Sequence, residues 1–306
     1  MIYIDHYKYT GLRHWTRYHI AKYTPKCFRA LLMNCVFFKD FKYFLNLHNP
    51  KTLVEKLNYL KLYNVTKEKT LLTDKLEAKS YINEKIPELK TKKIFQVCNS
   101  FEELDFSKCP DKFVIKTNHA CKTNILIEDK NKITKEQYEE LKKYYKRILN
   151  INYAYWGMFE MQYEDITPKI YTEEYIYNSD KSLLTEYEIF CFNGEPQFVE
   201  CAFPCHPCAN ANWEETDFFL YFEKEGRKFP VPAEEHKQKM IEYSKIIAKD
   251  FTFVRCDFIV AENELYFAEI TFTPYMSNVV FAPKKYDIYW GEKLDISSIL
   301  IKNRGH

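Results

Sequence analysis

Apolar residues recur at helical spacing in the first third of the chain and shift to short, strand-like runs beyond it. Leu53, Leu57 and Leu60 stand at i, i+4 and i+7 behind Thr52, with Glu55 three residues after the threonine. That is one buried stripe of a helix opened by a capping box. A second helix is predicted from Asp74 to Asn83, stopped by Pro87. From Ile94 the pattern shortens: Ile94–Val97, Phe113–Thr117 and Ile125–Glu128 read as strands, the last two as a hairpin, with a helical turn over Phe101–Leu104. Thr134 and Gln137 form another capping box. Tyr138, Leu141, Tyr145, Ile148 and Leu149 then mark the buried face of a long helix ending near Asn150. Ile170–Ile176 reads as a strand. Tyr187–Phe192 and Pro196–Ala202 flank Asn193-Gly194, a dipeptide that favours a tight hairpin turn, and Glu234–Lys249 is helical with His236, Met240, Tyr243 and Ile247 on one face.

These elements predict an α+β fold in four parts: a helical N-terminal segment over residues 1–50, a helical entry over 51–92, a small unit of strands and one helix over 93–172, and a C-terminal unit over 173–300. The third part is built to move as a body against the rest. Only six glycines occur and no repeat is visible, so the connections are short polar loops rather than flexible linkers.

The last predicted strand pair carries the chemistry. In Phe253–Val260 the even positions Val254, Cys256, Phe258 and Val260 are apolar, which puts Arg255 and Asp257 on the opposite face. In Leu265–Phe272 the even positions Tyr266, Ala268, Ile270 and Phe272 read as core, leaving Glu269 and Thr271 on the other face. Matching the two apolar faces across an antiparallel turn needs an odd loop; three residues, Glu262-Asn263-Glu264, set Asp257 directly opposite Glu269. Two carboxylates held a few ångströms apart repel, so a cation between them makes physical sense, and magnesium suits one or two carboxylates completed by phosphate and water oxygens. The competing arrangement is an ion pair of Asp257 with Arg255 and a solvated Glu269.

Composition narrows the function. Hydrophobic residues make up 46% of the chain and aromatics 17%, so a large-ringed core is expected rather than disorder. A net charge of +2 offers no global field for nucleic acid, and no nucleic-acid partner is expected. Ten cysteines without a signal peptide fit a reducing cytoplasm. The first thirty residues mix aromatics with Arg13, His14, Arg17, Lys22 and Arg29, a composition that suits either a helix on an anionic membrane face, hence peripheral contact with the inner membrane, or a helix packed on its own domain; the second is favoured.

Together these pieces resemble the ATP-grasp superfamily, most closely its TupA-like branch, from Asn49 to about Ile296. The resemblance rests on Asn49-Pro-Lys-Thr with Glu55-Lys56 and Leu60-Lys-Leu-Tyr63, Thr73-Asp-Lys-Leu76, Phe113-Val-Ile-Lys-Thr-Asn-His119, Asn152-Tyr-Ala154, Pro168-Lys with Glu173-Glu-Tyr-Ile176, Ile189-Phe-Cys-Phe-Asn-Gly194, Val254-Arg-Cys-Asp257 and Tyr266–Pro274 in family order. It implies an ATP-grasp fold that grips ATP between the small unit and the C-terminal sheet. Lys116 and Lys75 would reach the phosphates. Glu173, Glu174, Tyr175 and Ile176 would form the hinge that reads adenine, with Glu186 near the ribose. Asp257 and Glu269 would bind Mg2+ with Thr271 beside them, and Arg255 would stabilise the transferred phosphoryl group. Several positions depart from the family pattern. The loop after Asn118-His119 is Ala120-Cys-Lys-Thr-Asn124 and has none of the glycines many relatives carry, so either Lys122 substitutes a side-chain cation for a backbone nest or the lid grips ATP less tightly. Glu188 stands where relatives often have a cation, and Thr271 where Asn is frequent.

The resemblance further implies a ligase in cell-surface polysaccharide assembly: a sugar acid carboxylate is activated as an acylphosphate and an amine attacks it, with no covalent protein residue. No P-loop, nucleophile elbow or zinc helix is present in the sequence. A kinase using the same site and a nucleotide-binding scaffold are the alternatives. His119, beside Lys116, is a candidate for substrate contact, and Cys201, Cys205, His206 and Cys208 are a candidate zinc cluster or acceptor lining, with crowded reduced thiols the simpler account.

Overall fold

The computed structural model describes residues 2–3, 12–182, 184–202, 223–224, 227–228, 232–279, 281 and 284–304. Two helices open the chain, α1 (Leu12–Tyr23) and α2 (Lys26–Phe41). They are followed by α3 (Leu53–Tyr63), α4 (Lys67–Thr73) and α5 (Lys75–Lys85). Thr52 and Glu55 make the expected reciprocal capping box on α3, and Asp74 caps α5 through Leu76 N at 2.9 Å. The stretch read as one helix from Asp74 is thus α5, with α4 folded back before it.

An antiparallel sheet of five strands comes next, in the order β1-β4-β3-β5-β2: β1 (Ile2–Tyr3), β2 (Ile94–Cys98), β3 (Phe113–Thr117), β4 (Ile125–Ile127) and β5 (Ile170–Glu174). Helix α6 (Lys135–Ile148) covers it. Leu141 and Tyr145 pack with Phe113, Ile115, Ile125, Ile127 and Ile170 in a core of their own. The Tyr145 hydroxyl lies 2.9 Å from the carbonyls of Ile115 and Thr123, so the buried ring satisfies its polar end. Strand β5 continues through Glu173 and Glu174, which therefore belong to this sheet.

After the short α7 (Tyr153–Trp156), a second antiparallel sheet in the order β11-β10-β6-β7 is built from β6 (Thr185–Phe192), β7 (Glu195–Ala202), β10 (Phe253–Ala261) and β11 (Glu264–Thr271), with a separate ribbon of β8 (Glu223–Lys224) and β9 (Arg227–Lys228). Asn193-Gly194 forms the predicted turn, both residues at positive φ. Helix α8 (Glu234–Ala248) buries His236, Met240, Tyr243 and Ile247 against this sheet, and α9 (Lys285–Lys293) and α10 (Ser297–Arg304) close the chain.

The β10–β11 hairpin departs from the sequence reading in an instructive way. Its loop is two residues, Glu262 and Asn263, both at positive φ, and the pairing begins at Ala261↔Glu264. That register alone would set Asp257 opposite Ala268. A bulge between Phe258 and Asp257 absorbs Ala268, after which Asp257 pairs with Glu269. The core face of β11 consequently switches from Leu265 and Phe267 to Ile270 and Phe272. Tyr266 and Ala268, expected in the main core, instead pack with Ile176, Ile259 and Ala261 on the other side.

Among the described residues no helix is long and apolar enough to cross a membrane. Cys205, His206 and Cys208 lie outside the described residues. Cys201 is buried in β7.

Candidate active site

Two motifs far apart in sequence are tied together at the end of β3. The Asn118 amide donates to Asp74 Oδ2 at 2.7 Å, and the Asn118 carbonyl accepts from Lys75 N at 3.2 Å. Asp74 meanwhile caps α5, so the helix start and the strand end are locked side by side. This brings Lys75 and Lys116 to one cavity.

That cavity has a volume of about 510 Å3 and lies between the two sheets. Lys75, Lys92, Lys116 and Lys122 line one part of it; Glu186, Glu188, Arg255, Asp257, Glu269 and Thr271 line another. Here the predicted residues converge. Lys116 Nζ pairs with Glu173 at 2.8 Å, and Lys79 pairs with the other oxygen of the same carboxylate. Burial alone would raise Glu173, but Lys116, Lys79 and Lys92 outweigh it and hold the carboxyl down at about 2. Lys92, which sequence reasoning missed, is pushed down to about 8 by burial, with Lys116 adding to the effect. Lys92 is half-exposed.

Arg255 is gripped from two sides. Its Nε and Nη2 donate to Asp257 at 2.8 and 2.7 Å, and Nη1 pairs with Glu188 at 2.9 Å. The competing ion pair considered from the sequence therefore exists, and it coexists with the cross-strand carboxylate pair. Burial pushes Asp257 and Glu188 up, opposed by Arg255, with neighbouring carboxylates adding to the rise. Glu269 Oε1 accepts from Thr271 at 3.0 Å and Oε2 lies 3.8 Å from Lys75 Nζ. Thr271 thus orients Glu269. Glu186 stands on β6 and faces the cavity; burial raises it, and Glu269 adds to the effect.

A divalent ion fits this donor set. Among the described residues no three His, Cys, Asp or Glu side chains converge on one metal position. Two carboxylates with spare lone pairs, in a pocket crowded with negative charge, are what magnesium needs when phosphate and water complete its shell.

Some expected contacts are placed elsewhere. Glu173 is buried in its lysine pairs, and its side chain holds Lys116. Glu174, Tyr175 and Ile176 do not line the cavity, and Ile176 packs behind it against Ile259. His119 is also off the cavity, its Nε2 3.2 Å from the Ile148 carbonyl, and burial lowers it to about 4. A neutral, enclosed imidazole there braces the turn after β3.

Matching against family models gives one that covers residues 55–295, described as TupA-like ATPgrasp. The chain belongs to the TupA-like ATP-grasp family. Among solved structures it is similar to D-alanine–D-alanine ligase from Helicobacter pylori, at 15% identity and a TM-score of 0.44 over 81% of this chain and 70% of that one. It is similar also to the ATP-complexed D-alanine–D-alanine ligase from Bacillus anthracis (17%, TM-score 0.42, 76% and 64%) and to a RimK-domain ATP-grasp protein from Sphaerobacter thermophilus (10%, TM-score 0.42, 74% and 69%). No curated protein matches it.

The remaining wall of this ATP-grasp cavity was not legible as a site. His14 and Arg17 of α1, both outside the matched span, line it with Tyr153 and Trp156. Glu160 faces it from a loop in which Met158 and Phe159 both adopt positive φ, and accepts a hydrogen bond from Thr273. Burial pushes Glu160 up, opposed by Thr273, Lys61 and Lys75, and pushes Lys61 down, opposed by Glu160. Tyr275, Met276 and Ser277 adopt three successive left-handed conformations. Such geometry costs about 1–3 kcal/mol per residue and needs outside support. Helix α3 supplies it: Asn58 donates to the Ser277 carbonyl and Lys61 to that of Met276, each at 2.8 Å. The sequence signals for this wall were the short Thr273-Pro274 motif just after β11 and Asn152-Tyr-Ala154.

Proposed function

We propose that this chain is an ATP- and magnesium-dependent carboxylate–amine ligase that acts on a sugar acid in bacterial cell-surface polysaccharide assembly. The observation that carries the reading is the pairing of Asp257 with Glu269 across one cavity from Lys75 and Lys116. Membership of the family supports the use of ATP; the acceptor rests on the resemblance to the TupA-like branch.

In this reading Lys116, held by Glu173, and Lys75, held by the Asp74–Asn118 link, bind the phosphates, while Lys92 and Lys122 add charge at the rim. Asp257 and Glu269 would hold a magnesium ion, which would supply positive charge to offset that of the phosphates. Arg255, fixed by Asp257 and Glu188, faces the phosphoryl group in transit. The substrate carboxylate oxygen bonds to the γ-phosphorus and ADP departs. An amine then attacks the acyl carbon, phosphate leaves, and the proton released by the amine passes to Glu160. A buried carboxyl with raised proton affinity, open to the cavity, suits that last task.

Incubation with ATP, magnesium, a panel of uronic acids and a panel of amines, read by mass spectrometry, tests the proposal. Amide product together with ADP supports it. A phosphorylated sugar that forms equally well without amine would assign a kinase instead. Absence of magnesium-dependent ADP release would leave a nucleotide-binding scaffold, the reading that the glycine-free loop over 120–124 favours.

A further inference from the structure

Helix α2 is apolar on two sides. Inward, Met33 and Phe37 enter the main core, with Leu32, Val36 and Phe41 packed against it. Outward, Cys27, Phe28, Leu31, Cys35 and Phe38 are all exposed, in successive steps of one, three, four and three residues. On a helix of 3.6 residues per turn those steps trace a single stripe. The large members stand far into solvent: Phe28 is 56% exposed, Leu31 62% and Phe38 40%. Phe44, 60% exposed, stacks on Phe38 with ring centroids 4.4 Å apart and widens the stripe. A contiguous apolar surface of this kind marks an interaction site.

The charge around the stripe selects its occupant. The first 50 residues hold eight Lys and Arg against two Asp, a net +6 in a chain whose total is +2, so the remainder carries −4. Lys22, Lys26, Lys39 and Lys42 are exposed on and beside the two helices, and Asp40 is the only acid within α1 and α2. A second copy of this face would set lysines against lysines. An anionic bilayer would instead take the apolar stripe at the acyl boundary and the lysines at its phosphates. At 16 residues interrupted by charge, α2 is built to lie along such a surface, not to cross it.

We propose that the outer face of α2, bordered by Phe44 and by Lys22, Lys39 and Lys42, is a docking surface for an anionic lipid bilayer. Two residues separate α2 from α1, and α1 lends His14 and Arg17 to the cavity wall. The bilayer contact itself does not depend on the ligase chemistry.

Cosedimentation of the full chain with vesicles of phosphatidylcholine, alone or mixed with phosphatidylglycerol, tests the surface. The expected result is capture by the phosphatidylglycerol vesicles, weakened by salt, and lowered about tenfold or more in the Leu31→Asp/Phe38→Asp variant. Lys39→Glu/Lys42→Glu should lower capture several-fold. All four positions are exposed, so unchanged melting will show that both variants remain folded. Three results would overturn the proposal. These are no capture of the wild type, capture by neutral vesicles as strong as by anionic ones, and a dimer that Leu31→Asp/Phe38→Asp dissociates, which would make a second copy the occupant.

Discussion

Asp257 faces Glu269 because Ala268 is an extra residue in β11. The two-residue turn and the bulge together restore the register that a regular three-residue loop would have produced. A bulge is a common way to re-aim a side chain next to a site, and here it also leaves Ala268 and Glu269 both lining the cavity.

The two carboxylates should respond differently to neutralisation. Glu269 is half-buried, so Glu269→Gln should cost below about 1 kcal/mol in stability yet lower magnesium-dependent ADP formation by more than about a hundredfold. Asp257 is buried and bidentate with Arg255, so Asp257→Asn should destabilise by about 3 kcal/mol as well as abolish turnover. Urea melts beside ADP assays separate the two effects. Equal destabilisation by both would show that Glu269 is a structural ion-pair partner.

Glu173 should act through Lys116. In Glu173→Gln, buried Lys79 and half-buried Lys116 lose their shared carboxylate, and a loss of about 3 kcal/mol is expected, together with weaker ATP binding in a fluorescent-nucleotide titration. Glu173 is held at about 2, against an ordinary 4.5, so the unfolded chain takes up the proton first as pH falls. Its stabilisation is present at neutral pH and lost between about 4.5 and about 2. The Gln variant should lack that part of the acid loss.

His119 should make the fold pH-dependent in a higher window. Burial lowers it to about 4 from 6.5, with Lys75 adding to the effect and hydrogen bonds to Ile148 and Ile151 opposing it. Between those values the unfolded state binds more protons, so stability should fall as pH drops from 6.5 to about 4, by on the order of 2–3 kcal/mol. In His119→Asn the denaturant midpoint should be lower but flatter across that range. An unchanged slope would place the titration elsewhere.

Glu160 should matter to the amine step alone. Glu160→Gln is expected to keep ATP binding and to lower amide formation about a hundredfold. Hydroxylamine, unprotonated at neutral pH, should still trap the acylphosphate as hydroxamate in that variant. A Cβ at Gly157 would collide with the Glu160 carboxylate, so Gly157→Ala should reproduce much of the defect without removing the charge. Equal loss of hydroxamate and amide would remove Glu160 from the proton transfer.

Much of the fold was written in local pattern. Both capping boxes, the α6 stripe, the Asn193-Gly194 hairpin and the face shared by Arg255 and Asp257 follow from neighbours within a few residues of each other. The core assignment of Tyr266 and Ala268 failed because a bulge leaves no periodic signature. It is a choice between registers, settled by what the rest of β10 and the packing on each face will accept.

The sequence by itself determined the helices, most of the strands and the residue types able to hold phosphate and a divalent ion, because backbone propensity and side-chain alternation act over short range. Only the tertiary structure decided that Glu173 serves Lys116, that His119 is enclosed, and that α1, Glu160 and the strained turn at Tyr275 complete the cavity. Those facts depend on burial and charge contributed by segments tens to hundreds of residues apart, 57 for Lys116 and Glu173 and 29 for His119 and Ile148, and no local window contains both partners.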